Sequence, residues 1–288
     1  MSFLRRLKRI AKTKLVDGHY LLEFTHHQRR MAFEDLRAGE RYRQTKALIP
    51  HGHRVFSQSD EDGIITEIFR RIGTTNKTFV EFGAGSGLES NTASLLMQGW
   101  TGLWLEGSPQ LAKEIRQGLK PLIDEGRLKL ERAILTRENI DGLVARNMEG
   151  PEIDLLSVDV DGNDFHLYEA IQCVKARVLV FEYNAKFPPP ISWCFKYDPS
   201  HVWNVTDDCF GVSLQYLEDH LKEDYALVGC NLTGVNAFFV RRDLVEDKFL
   251  EPYTAVTHYE PARLELIRIP SGFASCYQTI LNGAEDAS

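Results

Sequence analysis

The sequence lacks several features that would define whole classes of protein. No stretch reaches the roughly 18 consecutive apolar residues that cross a bilayer, and no apolar run with a cleavage site suggests a signal peptide. The five cysteines are scattered, odd in number and without metal-ligand spacing, which is typical of reduced thiols in a cytoplasmic protein. The net charge of −7 lacks the basic excess of nucleic-acid-binding proteins, so we expect no nucleic-acid partner.

The 288 residues are enough for one enlarged α/β domain, or for one domain with appendages. We divide the chain into an N-terminal helical extension over residues 1–50, a main domain over 51–245 and a C-terminal extension over 246–288. No internal repeat or low-complexity tract interrupts this organisation.

The first fourteen residues form a short basic amphipathic pattern. They contribute +6 to the net charge of −7, so the rest of the chain carries −13. Apolar residues recur at helical spacing between the basic ones, as in Leu4, Leu7 and Ala11. Such a helix is either a solvated extension or a peripheral contact with an anionic membrane surface, here the inner face of the membrane.

From residue 64 onward, strand and helix patterns alternate. This alternation predicts an α/β fold with a doubly wound, Rossmann-like, seven-stranded, mostly parallel sheet. The last two strands flank a turn at 231–234 and form a C-terminal hairpin, which makes one strand antiparallel. The predicted strands cover 78–82, 102–105, 128–135, 153–160, 178–183, 226–230 and 235–240. The predicted helices cover 64–72, 91–98, a segment opening at Ser108-Pro109, 138–147, 164–174 and 214–221.

Residues 185–212 break this rhythm with a long segment rich in aromatic side chains. Loops of this length in compact domains are usually functional, and the aromatics argue against disorder. Because the segment follows a strand end, where open sheets bind ligands, we predict a substrate loop. Asn184 and the rings of Trp193, Tyr197 and Trp203 would contact the substrate, and such rings can stack on sugars. Alternatively, the rings form a small satellite core.

A glycine-rich turn follows the first predicted strand. Gly83, Gly85 and Gly87 allow a tight turn and a close approach of a ligand to the backbone. A dinucleotide fingerprint would require glycine at 88, which is Leu88 here. With Glu81 just before it, the turn suits a ligand that bears an ammonium and a carboxylate. Alternatively, the glycines serve only a tight turn between strand and helix, without a ligand.

Two further positions fit a nucleoside. Glu106 lies 23 residues after Gly83, at the end of the next predicted strand, where an acid can accept both ribose hydroxyls. Ala133 and Ile134 follow the third strand and could flank an adenine ring. Alternatively, Glu106 is an ordinary exposed acid at the end of a strand.

A cluster of acids ends the fourth predicted strand. A calcium-binding EF-hand is excluded because the twelfth position of such a loop is Ala170. Asp159 and Asp161 then have two possible roles. With Glu182 and Asn184 they could ligate a divalent cation, or one of them could act as a general base. A purely structural role remains open for Asp161 in an Asx-turn, and the adjacent Asp164 suits a helix N-cap.

At these motifs the chain resembles the FkbM-type class I S-adenosylmethionine-dependent methyltransferases. The resemblance covers roughly residues 54–242 and rests on the segments 57–63, 78–90, 99–106, 154–164 and 180–184. It implies an O-methyltransferase that uses S-adenosylmethionine and acts on a sugar hydroxyl, in polysaccharide or glycolipid biosynthesis. The implied cofactor-binding residues are Gln58, Glu81, Gly83, Ala84, Gly85, Gly87, Asn91, Glu106, Gly107, Ser108 and Ile134.

The chain departs from the family pattern after the fourth strand. The family often has Asp-x-Glu-Gly there, whereas this sequence has Asp159-Val160-Asp161-Gly162. Some sugar O-methyltransferases of this fold bind magnesium at these strand ends, so the metal hypothesis places a Mg²⁺ on Asp159, Glu182 and Asn184. Asp159 or Asp161 is the candidate catalytic residue. The alternatives are a non-catalytic binding or trafficking module of the same fold, or a dinucleotide-dependent oxidoreductase.

Overall fold

The computed structural model describes residues 3–203, 207–267 and 275–282, with side chains from Tyr20 to Leu281 within these ranges. Their central element is a seven-stranded sheet in the order β3-β2-β1-β4-β5-β7-β6. Strands β1 to β5 are parallel, and β7 is antiparallel to both of its neighbours, β5 and β6. The strands are β1 Thr78–Phe82, β2 Thr101–Glu106, β3 Leu128–Arg132, β4 Glu152–Val158, β5 Lys175–Glu182, β6 Tyr225–Cys230 and β7 Asn236–Arg241.

Helices cover both faces of the sheet. The helices are α1 Phe3–Arg37, α2 Glu61–Ile72, α3 Ala93–Met97, α4 Pro109–Gly118, α5 Lys120–Asp124, α6 Ile140–Ala145, α7 Asp164–Glu169, α8 Leu214–Leu221, α9 Arg242–Val245, α10 Ala255–His258 and α11 Tyr277–Asn282. Short 3-10 helices cover Glu40–Tyr42, Ile49–His51 and Leu264–Leu266.

The apolar strands divide their side chains between two cores. Phe79 and Leu155 pack into the core on one face of the sheet, while Val80 and Leu156 pack into the core on the other. All four are at most 3% exposed. Runs of apolar residues in parallel strands are required when helices cover both faces, because neither set of side chains meets water.

The predicted fold class is confirmed, including the hairpin that makes one strand antiparallel. Several element boundaries were wrong. The predicted strand at 128–135 ends at Arg132, and the one at 153–160 ends at Val158, so Asp159 and Asp161 belong to the loop after β4. The helix predicted at 164–174 ends at Glu169 because β5 begins at Lys175.

The N-terminal extension begins with one helix of 35 residues, α1, rather than a short basic helix followed by others. The helix predicted from residues 1–14 lies within α1 from Phe3, although the side chains before Tyr20 and residues 1–2 are outside the described set. Near its C-terminal end, α1 packs through Phe33, which is 6% exposed. In the part of the chain that the structure describes, no helix combines the length and apolar character needed to cross a bilayer.

The C-terminal extension packs onto the sheet domain. Phe249 and Ile280 are fully buried in the core on one face of the sheet. The hydroxyl of Tyr277 donates a 2.7 Å hydrogen bond to the carbonyl of Ser86. The extension therefore lies against the glycine-rich turn that precedes α3.

Candidate functional site

The loops after β1 and β4 meet at the point where the strand order of the sheet reverses. In open parallel sheets, ligands bind at this switch point, beyond the carboxyl ends of the strands. At Gly83, φ is +72°, and a side chain would place its Cβ only 1.7 Å from the carbonyl oxygen of Asp159. Glycine is therefore required here so that the two loops can touch through their backbones.

Within the glycine-rich turn, Gly85 and Gly87 have different surroundings. Gly85 has φ +58°, and an added Cβ would meet no atom within 4 Å. Gly87, in contrast, packs on the indole ring of Trp104, 2.5 Å from where its Cβ would lie. Gly85 thus leaves its backbone accessible from the cavity described below, whereas Gly87 serves packing.

Glu106 ends β2 and is 6% exposed. One carboxylate oxygen accepts a 2.8 Å hydrogen bond from the N–H of Gly85, and the other accepts a 2.7 Å bond from the N–H of Ser108. Burial raises the pKa of Glu106, while these N–H donors act in the opposite direction. Each oxygen keeps lone-pair capacity for a further donor from the cavity side.

Glu81 is buried and does not line the cavity. Its carboxylate accepts a 2.8 Å hydrogen bond from the N–H of Asn91 and a 2.5 Å bond from the hydroxyl of Thr92. Burial raises its pKa to about 7, although these hydrogen bonds lower it. Glu81 and Asn91 therefore hold the end of the glycine-rich turn against β1, and neither side chain lines the cavity.

A cavity of about 1290 Å³ lies beside the glycine-rich turn and Glu106. Drug-sized ligands occupy sites of about 300–1,000 Å³, so the cavity has room for a cofactor and a second molecule. Thirteen of the residues singled out from the sequence line it: Gln58, Gly83, Gly85, Glu106, Gly107, Ser108, Ala133, Ile134, Asp159, Asp161, Glu182, Asn184 and Trp203. Six do not: Glu81, Ala84, Gly87, Asn91, Trp193 and Tyr197.

Three carboxyl groups meet on the wall formed by the ends of β4 and β5. One oxygen each from Asp159, Asp161 and Glu182 lies within 4.8 Å of the other two. Asp161 has φ +56°, an uncommon conformation for a residue with a side chain. The nearby Asp164 accepts hydrogen bonds from the N–H groups of Val160 and Gly162, so its carboxylate holds the loop after β4. Its predicted role as a helix N-cap was wrong, because the N-cap of α7 is Asn163.

This clustering disfavours full ionisation of the three carboxyls. Burial, and then the neighbouring charges, raise the pKa of Asp159 and of Glu182 well above their ordinary values. The pKa of Asp161 is also raised, first by burial and then by Asp164. Closely spaced carboxyls either retain a proton between them or bind a cation. Glu182 Oε2 is buried and has no hydrogen-bond partner among the described residues.

The aromatic segment folds back on the domain, and its rings separate into two groups. Trp203 lines the cavity and lies 4.8 Å from the ring of Phe210. Trp193 packs against Phe187 with the two rings tilted, and the guanidinium of Arg137 lies over the ring of Tyr197, both outside the cavity. Trp193 and Tyr197 are only half-buried, and neither belongs to a buried hydrophobic cluster of the described residues. Trp203, in contrast, lies on the cavity wall.

Asn184 lines the cavity, but its amide is engaged with the loop. Its Nδ2 donates to the carbonyls of Asp208 and Phe210, and its Oδ1 accepts a 3.2 Å bond from the N–H of Lys186. Asp161 forms a group of three carboxyls with Asp159 and Glu182.

His201 also lines the cavity, although no sequence pattern points to it. Its Nε2 lies 3.2 Å from the carbonyl oxygen of Asp161, and its ring packs 4.3 Å from Phe195. A single histidine in a long loop has no diagnostic spacing, so only the fold shows that it borders the acids.

No family model matches the sequence, and no curated protein is similar to it. Solved structures share some similarity. A Staphylococcus aureus protein assigned as a caffeoyl-CoA O-methyltransferase has 15% identity and a TM-score of 0.44, covering 78% of this chain and 99% of its own. A Klebsiella pneumoniae protein assigned as an O-methyltransferase has 16% identity and a TM-score of 0.38, covering 61% and 76%. The N-terminal domain of EvdMO1, solved with SAH bound, has 12% identity and a TM-score of 0.40, covering 64% and 81%.

The chain's own strand order and cavity define its class. It is a doubly wound, Rossmann-like α/β protein with a large cavity at the switch point of the sheet.

Proposed function

We propose that this chain is an S-adenosylmethionine-dependent O-methyltransferase of the FkbM type. The observation that carries the proposal is a single cavity that joins Gly85 and Glu106 on one side to the carboxyls of Asp159 and Glu182 on the other. One side suits a nucleoside cofactor, and the other suits a hydroxyl that must lose a proton.

The residues on the first side fit S-adenosylmethionine. Gly85 offers an open backbone, and Glu106 has lone pairs left for the ribose hydroxyls. Ile134 is 63% exposed and lies beside Gly107, where an apolar side chain can cover an adenine ring. The cofactor, when bound, supplies an electrophilic methyl carbon on a sulfonium.

The residues on the second side fit proton removal. A new bond forms between the acceptor oxygen and the methyl carbon while the carbon–sulfur bond breaks, and the hydroxyl proton must leave. Asp159 is the proposed base, with Asp161 beside it, because a carboxylate whose pKa is raised is a stronger base than an ordinary carboxylate. Holding the acceptor in line contributes the other large part of such a catalytic effect.

A divalent cation is a second component of the proposal. Asp159, Asp161 and Glu182 would hold it, since carboxylate oxygens are the ligands that Mg²⁺ prefers. The unpartnered Oε2 of Glu182 supports this fit. A cation at this position would acidify a bound hydroxyl.

We place a sugar hydroxyl of a surface glycan or glycolipid as the acceptor. Trp203 offers an aromatic face on the cavity wall, and sugar rings stack on such faces. The basic residues of 1–14 and the exposed side chains of Tyr20, Leu21 and Phe24 on α1 support peripheral contact with the inner face of the membrane. A cytoplasmic location belongs to the same proposal.

Isothermal titration with S-adenosylhomocysteine and with NADH tests the assignment. We expect the first to bind and the second not to bind. Binding of NADH alone would indicate an oxidoreductase. If S-adenosylhomocysteine binds but no methyl transfer occurs to any member of a panel of sugars and glycolipids, a non-catalytic module would be the better interpretation.

A further inference from the structure

A second pocket lies between α1 and the segment that precedes α2. Its volume is about 320 Å³, at the lower end of the range for small-ligand sites. Arg30 and Arg37 from α1, together with His53 and Arg54 from the opposite side, line this pocket. Four basic side chains from two separate parts of the chain therefore surround one small space.

Two of the arginines have buried donors that lack partners. Arg37 Nε and Arg54 Nε are buried, and neither has a hydrogen-bond partner among the described residues. Their ion pairs are long, at 3.6 Å from Arg37 to Glu34 and 3.9 Å from Arg54 to Glu89. An unsatisfied buried donor costs about 1–3 kcal/mol, and more when the group is charged, so an acceptor in the pocket would stabilise both guanidinium groups.

The acids in the pocket do not cancel this positive charge. Glu34 also lines the pocket, but its side chain is 60% exposed. Asp60 is buried, and burial together with the charge of Glu61 raises its pKa to about 7. Near neutral pH, Asp60 is therefore only partly ionised, and the pocket retains a net positive charge from its arginines.

We propose that this pocket binds a phosphate group. A phosphate offers several acceptor oxygens, and planar guanidinium groups bind such oxygens with well-defined geometry. Gln58 lines this pocket as well as the large cavity, so a bound phosphate would lie next to that cavity. The proposal concerns binding of phosphate and holds whether or not the large cavity performs methyl transfer.

The phosphate could belong to a soluble molecule or to a lipid headgroup. Exposed Tyr20, Leu21 and Phe24 on the same helix are compatible with a lipid surface nearby. The two sources share the chemistry of the pocket and differ only in what is attached to the phosphate.

Isothermal titration of the full chain with inorganic phosphate tests the proposal. We expect binding by the wild type and a loss of at least about 10-fold in the double variant Arg37→Gln, Arg54→Gln, since each charged hydrogen bond contributes about 1.5–3 kcal/mol. Arg116→Gln makes the same change at an exposed position on α4 and should leave the affinity unchanged. Arg54→Lys keeps the charge but loses the fork of donors, and should give an intermediate affinity.

Absence of phosphate binding by the wild type would overturn the proposal, as would equal affinity of the folded double variant. Circular dichroism establishes that each variant is folded. Flotation with phosphatidylcholine vesicles, with and without phosphatidic acid, then separates the two sources. If the protein floats with the vesicles only when phosphatidic acid and both arginines are present, the phosphate belongs to a lipid headgroup. If the protein binds inorganic phosphate but does not float with the vesicles, the phosphate belongs to a soluble molecule.

Discussion

The carboxylate of Glu106 accepts a 2.8 Å hydrogen bond from the backbone N–H of Gly85. This bond joins the end of β2 to the glycine-rich turn after β1, where both border the large cavity. The acid proposed for the ribose and the backbone proposed for the rest of the cofactor are thus held in one arrangement. A cofactor would meet this arrangement already assembled.

Replacing Glu106 with alanine should weaken the binding of S-adenosylhomocysteine by about 10- to 100-fold, because hydrogen bonds to a charged group contribute about 1.5–3 kcal/mol. Isothermal titration measures the change. Glu149→Ala, at an exposed position, is the matched control and should bind like the wild type. Unchanged affinity in Glu106→Ala would contradict the ribose assignment.

Gly85→Ala and Gly126→Ala form a matched pair. Both glycines have positive φ, +58° and +74°, and in both an added Cβ would meet no atom within 4 Å. Each substitution should lower the free energy of unfolding by about 1 kcal/mol or slightly more, because alanine is strained at positive φ. Only Gly85→Ala should also lose S-adenosylhomocysteine affinity, since only Gly85 lines the cavity. Urea denaturation and titration separate the two effects.

Glu182→Gln should make the protein more stable at pH 8. The folded-state pKa values of Glu182 and Asp159 are raised by burial, so the folded protein holds protons that the unfolded chain releases. Their contribution to stability is full below the ordinary pKa near 4.5 and declines as pH rises toward the folded-state values. Repulsion between charges about 5 Å apart amounts to roughly 3 kcal/mol at an effective dielectric constant of 20, which indicates the order of magnitude of the gain.

Thermal denaturation between pH 5 and pH 8 measures this effect. The variant should show a flatter dependence of stability on pH than the wild type. Glu149→Gln provides the control for removal of one acid from the surface. If Glu182→Gln keeps the full pH dependence of the wild type, the raised pKa values do not govern stability.

Magnesium should raise the melting temperature if the three carboxyls hold a cation. At a concentration 100-fold above Kd, binding stabilises by about 2.7 kcal/mol, which corresponds to roughly 5–10 °C for a chain of this size. Asp159→Asn should abolish the shift. Asp124→Asn should preserve it, because that acid is exposed and pairs with Lys120. An equal shift in both variants would place the cation elsewhere.

Much of the fold follows from local sequence patterns. Apolar runs such as Leu155-Leu156 mark strands that are covered on both faces, and the residues around Asn231 mark the closing hairpin. Strand ends were predicted less well, because Ile134 continues an apolar run beyond Arg132 and yet stands 63% exposed beside Gly107. Hydrophobicity alone does not distinguish an exposed side chain on the cavity wall from a side chain in a strand.

The candidate site was predictable to the extent that it follows strand ends. Glu106 and Asp159 border the cavity because parallel strands bring their carboxyl ends to one edge. The direction of each side chain was not predictable, and Glu81 turns into the protein to bind Asn91. Contacts between residues far apart in the chain leave no local pattern in the sequence. Examples are His201, which lies next to Asp161, and Arg37 and Arg54, which line the same pocket.

The contact between Gly83 and the carbonyl of Asp159 has a consequence for protein engineering. Main-chain atoms, which do not change with amino-acid identity, set the separation between the donor side and the acid side of the cavity. Described residues of the segment 185–212, such as His201 and Trp203, line the cavity without forming that contact. Under the proposed function, chimeras that exchange this segment should therefore change the acceptor while retaining the methyl donor.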